Sequence, residues 1–381
     1  MKNNILILNS YYLPGFKGGG PVKSIKNIVD NLGEKYNFYI LTSDRDLNDE
    51  FRYNNIEINK WIKKENYYIC YIDTKKTNIK EYLEIMNSIQ FKHIYMNGYF
   101  SPNFTIKPLL IRKSNKLDCK SIIICPRGDF SPGHLKIKGI KKYTYIVAAK
   151  IFRLYDNVLW QSTSEIETDH ILKIYKNANI SVVTNLPYSN RVDEKTVNKN
   201  KVKGNLKLVF ISRIVSKKNL LYALKCLQEI KEGNIEFDIF GPKEDLNYWR
   251  ECSLIIAGMS NNVKVNYRGE LRQEDVINKL SKYHAFFFPT LGENYGHVIV
   301  EALLAGCVPI LSDETPWRNL VEKKVGWDIN LTYKNKFINA IKELSNMEQD
   351  DFNKYSNNAY QYIIKMINYD DIIDGYEKLF S

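Results

Sequence analysis

Both halves of the chain alternate short apolar runs with segments of helical length, and a polar stretch near residue 200 separates the two halves. This alternation, its interruption and its restart predict an α/β fold of two Rossmann-like domains facing each other across a cleft. In the first half "ILILNS", "NFYILTS", "YYICYI", "HIYMNG", "SIIICP" and "VLWQST" read as strands. Segments such as "GPVKSIKNIVDNLGEK" and "IKEYLEIMNSI" lie between them as helices. Strands this apolar, joined by helices, belong in a parallel sheet covered on both faces. Residues 192–205, "VDEKTVNKNKVKGN", carry almost nothing to bury and read as the linker. The pattern resumes with "LKLVFISR", "EFDIFGP", "VKVNYRG", "HAFFFPT" and "CVPILSD" as strands, and the chain is helical from about residue 332. The expected domains are therefore 1–190 and 204–364, with the last segment, about 365–381, packing back on the first.

Composition narrows the class. An apolar content of 44% and a charged content of 26% describe an ordinary globular chain. The longest apolar runs are too short to cross a bilayer. "MKNNILILNSYY" reads as a first strand rather than a secretory signal. The six cysteines form no C-x-x-C pair and suggest single buried thiols in a reduced, cytoplasmic chain. The net charge of +12 is uneven, because residues 101–150 hold eleven Lys or Arg against Asp118 and Asp129. Such a segment is either a solvated face or a surface for a polyanion. With the apolar residues of "YTYIVAAKIFRLY" it predicts a peripheral contact with an anionic membrane. Nucleic acid is not the expected partner, since no recognition motif accompanies the charge, and a basic nucleic-acid-binding protein is kept as the lesser alternative.

In open α/β sheets ligands gather at the carboxyl ends of strands, and five stretches fall there. In "PGFKGGGPVKSI", Gly18, Gly19 and Gly20 precede Pro21. They form either a plain turn or a backbone that approaches an anion at a helix start. In "FISRIVSKKNL", Arg213 ends a strand and Lys218 precedes a helix. Two cations beside helix amides suit a diphosphate, and without one they oppose the macrodipole. "VNYRGE" places Arg268 and a flat Tyr267 at a third strand end, where a base can rest. "CPRGDFSPGHLKIKGIKK" groups Arg127, Asp129 and His134 in a Gly/Pro loop inside the basic segment. In "TLGENYGHVIVEALLAG", Glu293 lies in a loop and Glu301 in the early turns of a helix. The helix dipole alone accounts for an acid at Glu301 but not for Glu293. Carboxylates accept paired hydrogen bonds from sugar hydroxyls, and the amides of residues 296–298 can meet phosphate.

"GENYGHVIVEALLAGCVPILSD" resembles the E-x7-E region of retaining glycosyltransferases of the GT-B fold, in the large family 4 of nucleotide-sugar-dependent enzymes. Tyr295 stands where phenylalanine is usual, while Gly296, Glu301, Ala302 and Gly306 fit. "SRIVSKKNL" is similar to the family's basic pair, with Asn219 where glycine is common; "VNYRGEL" and "QSTSEIETDHI" match two further segments in family order. The resemblance implies a hexosyltransferase-type enzyme (EC 2.4) in bacterial surface polysaccharide assembly. Its donor is a nucleotide-diphosphate sugar, and its acceptor a glycan or lipid-diphosphate-linked hydroxyl. It implies that Arg213 and Lys218 bind the donor diphosphate, that Glu301 holds the ribose, and that Glu293 contacts the transferred sugar. Asn294, Tyr295, Gly296, His297 and Val298 would position sugar and phosphate, Arg268 would lie by the base, and Gly19 and Gly20 would approach the donor. Arg127, Asp129 and His134 are the acceptor-side candidates. Pro126 and Arg127 occupy a strand end where many members carry histidine, so the acceptor contact departs from the pattern. No metal or other cofactor is expected if Arg213 and Lys218 neutralise the leaving group. Asp44 and Asp46 in "TSDRD", though spaced like metal ligands, read as a solvated loop. A sugar-nucleotide epimerase or hydrolase on the same fold is the alternative chemistry.

Overall fold

The computed structural model describes residues 2–114, 116–136, 138–187 and 199–381. It resolves into two compact units, one formed by Met1–Ser189 with Tyr369–Ser381 and the other by Asn190–Asn368. The first half of the polar stretch read as the linker, residues 192–198, lies outside the described residues.

The first unit is built on an eight-stranded sheet. Its strands are β1 (Asn3–Asn9), β2 (Tyr36–Ser43), β3 (Ile62–Lys63), β4 (Tyr67–Ile72), β5 (His93–Asn97), β6 (Ser121–Cys125), β7 (Leu159–Ser162) and β8 (Asn179–Val182), in the order β3-β4-β2-β1-β5-β6-β7-β8. All of its pairings are parallel except β3 with β4. Ile5, Leu6, Ile7 and Leu8 of β1 are fully buried, as a central strand covered on both faces requires. Tyrosine does much of the packing behind β5–β7. Tyr99 stacks on Tyr155 with ring centres 4.6 Å apart and meets Phe130 at 4.5 Å, and its hydroxyl bonds that of Tyr175 at 2.5 Å. The helix Tyr369–Leu379 belongs to this unit: Tyr376 and Phe380 are buried, and Phe380 packs against Tyr36, Phe38 and Tyr95.

The second unit holds β9 (Asn205–Ile211), β10 (Asn234–Phe240), β11 (Val263–Tyr267), β12 (Ala285–Phe288), β13 (Val308–Ser312) and β14 (Trp327–Ile329), ordered β11-β10-β9-β12-β13-β14. Every pairing is parallel. Phe286, Phe287 and Phe288 are all fully buried, so both faces of β12 are covered.

Three strands that the sequence pattern does not reveal are β3, β8 and β14. Each is an edge strand of two to four residues, and β8 is exposed or half-buried throughout, so it lacks the apolar run that marks a central strand. Five cysteines are buried as expected, whereas Cys119 is only half-buried.

His284, just before β12, sets an acid limit on the second unit. Its Nδ1 accepts the Lys207 N–H at 2.9 Å while Nε2 donates to the Asn200 carbonyl at 3.0 Å. Burial above all, with Lys201, Lys199 and Lys207 nearby, pulls the ring down to about 4 from an ordinary 6.5. The unfolded chain therefore takes up this proton first as pH falls. Stability is lost from about pH 6.5 downward, reaching about 3 kcal/mol by pH 4. Denaturant melts between pH 7 and pH 4 check this: His284→Asn, which retains an acceptor for Lys207, is expected to lose about that much less stability than the parent on acidification.

Candidate active site

In the second unit the order β10-β9-β12-β13 sets four strand-end loops side by side along the carboxyl edge. Backbone and side-chain bonds join them. The Leu291 N–H donates to the Lys217 carbonyl at 2.9 Å, the Asn219 amide to the Pro289 carbonyl at 2.9 Å, and the Glu293 N–H to the Glu314 carbonyl at 2.9 Å. The Ser312 hydroxyl donates to the Thr290 carbonyl at 2.5 Å. The loop carrying Glu293 is thus fixed on both flanks.

The structure brings Lys218 and Glu293 together. Their side chains form an ion pair and are 14% and 13% exposed. The Thr290 hydroxyl lies 3.4 Å from the same carboxylate oxygen, and the Lys218 ammonium sits 5.6 Å above the Phe288 ring centre. Arg213 is held differently. Its guanidinium pairs with Glu244, in the loop after β10, at 2.9 Å. Glu244 is a partner that sequence reasoning missed; its signal is an acid three residues past Gly241, the residue that follows β10. Each cation expected to meet phosphate therefore already has a carboxylate.

Lys218 closes a 3-10 turn, Ser216–Lys218, and Asn219 follows with φ of 60° before the helix Leu220–Leu227 begins. That left-handed conformation is why glycine suits this position, and asparagine adopts it more easily than other side chains.

The Glu293 loop enters the helix His297–Leu304 through Gly296, with φ of 76°. The positive φ at Gly296 strains any other residue, and a Cβ there would also lie 2.7 Å from Ile299 Cδ1, so that side chain would have to shift. His297 and Val298 are half-buried in the first turn, where the positive end of the helix dipole lies. Glu301, 5% exposed, sits beyond that turn, too deep for the dipole alone to account for it. The Tyr295 ring is buried against Trp317, whose indole N–H donates to the Tyr295 carbonyl at 2.7 Å. Tyr295 therefore builds the loop from within, and what its segment offers a ligand is backbone. Asn294 is half-buried beside it. Arg268 turns back along the sheet, with Nε 3.0 Å from Asp238, a carboxylate that also accepts from Asn266 and Tyr283. The flat surface at this strand end is Tyr267 and Trp249, with the Lys243 ammonium 3.9 Å and 4.3 Å from their ring centres.

In the first unit the loops after β1, β5 and β6 are neighbours. Gly19, with φ of 67°, caps the helix Gly20–Leu32, which opens on Pro21. The reading of Asp44 and Asp46 as a solvated loop is wrong: both are buried. The Asp46 carboxylate accepts the N–H groups of Phe16 at 2.7 Å and Lys17 at 3.0 Å, which holds the glycine-rich loop in place. Asp44 instead binds Arg45 at 2.8 Å. Arg127, itself at φ 55°, donates to Asn97 at 2.6 Å, to the Tyr95 hydroxyl at 2.8 Å and to Asn185. Asn97 in turn reaches Asn9 and the Pro21 carbonyl, so Arg127 braces the start of the glycine helix. Asp129 accepts the Tyr99 N–H at 2.7 Å and lies 3.3 Å from His134 Nδ1. Burial raises the Asp129 carboxyl, while His134 and the backbone amides oppose the rise.

Residues 192–362 match the family model described as glycosyl transferases group 1. The second unit is a group 1 glycosyltransferase domain. The whole chain has the GT-B fold. It resembles the sucrose-phosphate synthase of Thermosynechococcus elongatus at 13% identity, covering 99% of this chain and 98% of that one, with a TM-score of 0.72. The Anabaena protein HepE, solved with UDP and glucose, matches at 12% identity with the same coverage and a TM-score of 0.69. WaaG, a glycosyltransferase involved in lipopolysaccharide biosynthesis, matches at 12% identity over 95% of each chain, with a TM-score of 0.62. No curated protein matches the chain. Within the glycosyltransferase domain, the family-like motifs coincide with the Lys218–Glu293 pair and the Gly296 helix start.

Three substitutions at two positions check these local arguments by denaturant melts. Asn219→Gly keeps the left-handed backbone but loses the bond to the Pro289 carbonyl and is expected to cost about 1 kcal/mol, whereas Asn219→Val loses both and is expected to cost about 2–3 kcal/mol. Asp46→Ala removes charge-assisted bonds to two loop amides and is expected to cost about 2–3 kcal/mol.

Proposed function

We propose that the chain is a retaining, hexosyltransferase-type enzyme of glycosyltransferase family 4. It moves a sugar from a nucleotide-diphosphate donor to a hydroxyl of a glycan or lipid-diphosphate-linked acceptor. The observation that carries this reading is the Lys218–Glu293 pair, held at the carboxyl edge of the group 1 domain beside a helix N-terminus. UDP and glucose bound to the Anabaena neighbour support the donor class. The lipopolysaccharide role of WaaG supports bacterial surface polysaccharide assembly, and the basic segment 101–150 supports a peripheral place on the cytoplasmic membrane face.

The donor diphosphate meets Lys218, Arg213 and the amides of residues 296–298. Phosphate takes Lys218 from Glu293 and Arg213 from Glu244. Glu293 is then released to the sugar hydroxyls, and Glu301 serves the ribose. The bond from the anomeric carbon to the diphosphate oxygen breaks as the acceptor oxygen bonds to that carbon on the same face. The acceptor proton passes to the leaving phosphate oxygen, which makes a strong protein base unnecessary. Two cations neutralise the leaving group, so the transfer needs no metal on this reading.

Thermal melts with nucleoside diphosphates test the site. At about 100 times Kd a ligand adds about 2.7 kcal/mol, a rise of roughly 5–10 °C in Tm for a unit of this size. Arg213→Ala and Lys218→Ala are each expected to lower kcat by about 10²–10³, as loss of an oxyanion donor does. Full turnover in both variants would refute the roles given to these cations. Glu293→Gln frees Lys218 from its carboxylate, so it is expected to bind nucleoside diphosphate several-fold more tightly while transferring sugar more slowly. The anomeric configuration of the product, read by NMR, matches the donor's if the enzyme retains.

A further inference from the structure

The helix Gly139–Ile151 has two apolar faces, and only one of them is explained by the fold. Ile146 and Ala149 are buried, and Tyr145 bonds the buried Tyr155 hydroxyl at 2.7 Å, which anchors that side to the tyrosine cluster behind β5–β7. The opposite side is also apolar. Ile140 is 88% exposed, Tyr143 56%, Val147 55% and Ile151 70%, and Phe152 just past the helix end is 65% exposed. Spacings of three and four residues place Ile140, Tyr143, Val147 and Ile151 on one stripe. At 1.5 Å per residue the stripe runs for roughly 16 Å. A helical wheel sets Lys141 to one side of it and Lys150 to the other, and both residues are exposed.

The helix cannot be rotated to hide this stripe, because doing so would expose Ile146, Ala149 and the Tyr145 contact. No acid occurs from residue 130 to residue 155, while Lys136, Lys138, Lys141, Lys142, Lys150 and Arg153 do. At the carboxyl end the helix is tied down by Lys113, which donates to the Phe152 carbonyl, and by Arg112, which donates to the Asp156 carbonyl at 3.1 Å. The stripe therefore belongs to a fixed, outward surface.

We infer that this face of Gly139–Ile151 lies in the interface of an anionic lipid bilayer. Ile140, Val147, Ile151 and Phe152 enter the acyl boundary, Tyr143 lies at headgroup level, Lys141 reaches the lipid phosphates on one side, and Lys150 reaches them on the other by leaving the Tyr175 ring that its ammonium covers at 5.4 Å. A second copy of this chain is a poor occupant, since two such basic faces repel. An acidic protein would satisfy the lysines, but a row of four apolar side chains, each more than half exposed and flanked by lysines, suits an anionic apolar boundary. The inference is independent of the transfer reaction. It fixes which surface faces a membrane-borne acceptor without assigning any residue of the sugar site.

Co-flotation with vesicles tests it. The full chain is expected to float with phosphatidylglycerol/phosphatidylcholine vesicles at low salt and to stay behind with phosphatidylcholine alone. It is expected to be released at about 1 M salt, where the screening length is about 3 Å. Lys141→Gln with Lys150→Gln is expected to weaken partitioning roughly 30-fold, about five-fold per lysine. Ile140→Ser, Val147→Ser and Ile151→Ser together are expected to abolish it while leaving Tm unchanged, because these side chains are exposed. The inference is overturned if the parent ignores anionic vesicles, or if the triple serine variant floats as well as the parent. It is also overturned if light scattering shows a dimer that the serines dissociate. Melts with nucleoside diphosphate on the same triple variant keep this outcome separate from the transferase reading, since its nucleotide response is expected to be unaltered.

Discussion

The ion pair between Lys218 and Glu293 is the contact around which the second unit's carboxyl edge is organised. Each residue stabilises the other's charge in this place. At 14% and 13% exposure each would be a poorly solvated charge, and removing one partner of such a pair leaves the other uncompensated. The pair also dictates how its loops are made. Lys218 reaches the Glu293 loop because Asn219 bends the chain through a left-handed conformation and donates to the Pro289 carbonyl. Glu293 stays within reach because Leu291 and Glu293 bond backbone on either side. A site assembled in this way holds its charges in place before any ligand arrives.

Both proposed phosphate ligands rest on carboxylates, and this has a consequence for selectivity. A ligand must exchange one anionic partner for another at Lys218 and at Arg213. A neutral sugar offers neither cation an equivalent partner, whereas a diphosphate does. The two exchanges differ in kind. Glu244 sits with Arg213 at a more exposed position, where an ion pair contributes little. Glu293 sits deeper, so its release creates a carboxylate that needs new hydrogen bonds. Sugar hydroxyls can supply them, and in this account the diphosphate and the sugar are recognised through one linked exchange.

The central strands were legible because burial on both faces leaves an uninterrupted apolar run, as in "HAFFFP" and "SIIIC". β3, β8 and β14 were not, because short edge strands answer to their neighbours more than to their own composition. The Glu293-to-Glu301 spacing and the Lys218 turn were legible as a linear motif. Glu244 and Asp46 were not, since their partners lie 31 and about 30 residues away and only the parallel sheet makes them neighbours. The mistaken reading of Asp46 has the same origin. A charged loop normally faces water, but a carboxylate that accepts backbone N–H groups can be buried at little cost. The basic segment shows the opposite limit. Its charge was plain, but the division of "YTYIVAAKIF" into an anchored face and an outward face depends on which residues meet the tyrosine cluster.

The same reasoning separates the three acceptor-side candidates of the first unit. Arg127 directs Nε and both terminal nitrogens to Asn97, Asn185 and Tyr95. Asn97 and Asn185 are nearly fully buried, and Tyr95 is fully so. A ligand that drew the guanidinium away would leave up to three buried acceptors unpaired, at about 1–3 kcal/mol each. That exceeds what one new charge-assisted bond returns, so Arg127 acts as a brace. Asp129 is similarly committed to the Tyr99 N–H and to His134. His134 differs from both. Its Nδ1 faces the Asp129 carbonyl at 3.0 Å and the Asp129 carboxylate at 3.3 Å, so Nδ1 carries the hydrogen, and in the neutral ring Nε2 is the acceptor. Its side chain is 32% exposed, against 19% for Asp129. Of the three, it is the residue whose functional atom a hydroxyl can meet without dismantling the framework that holds it.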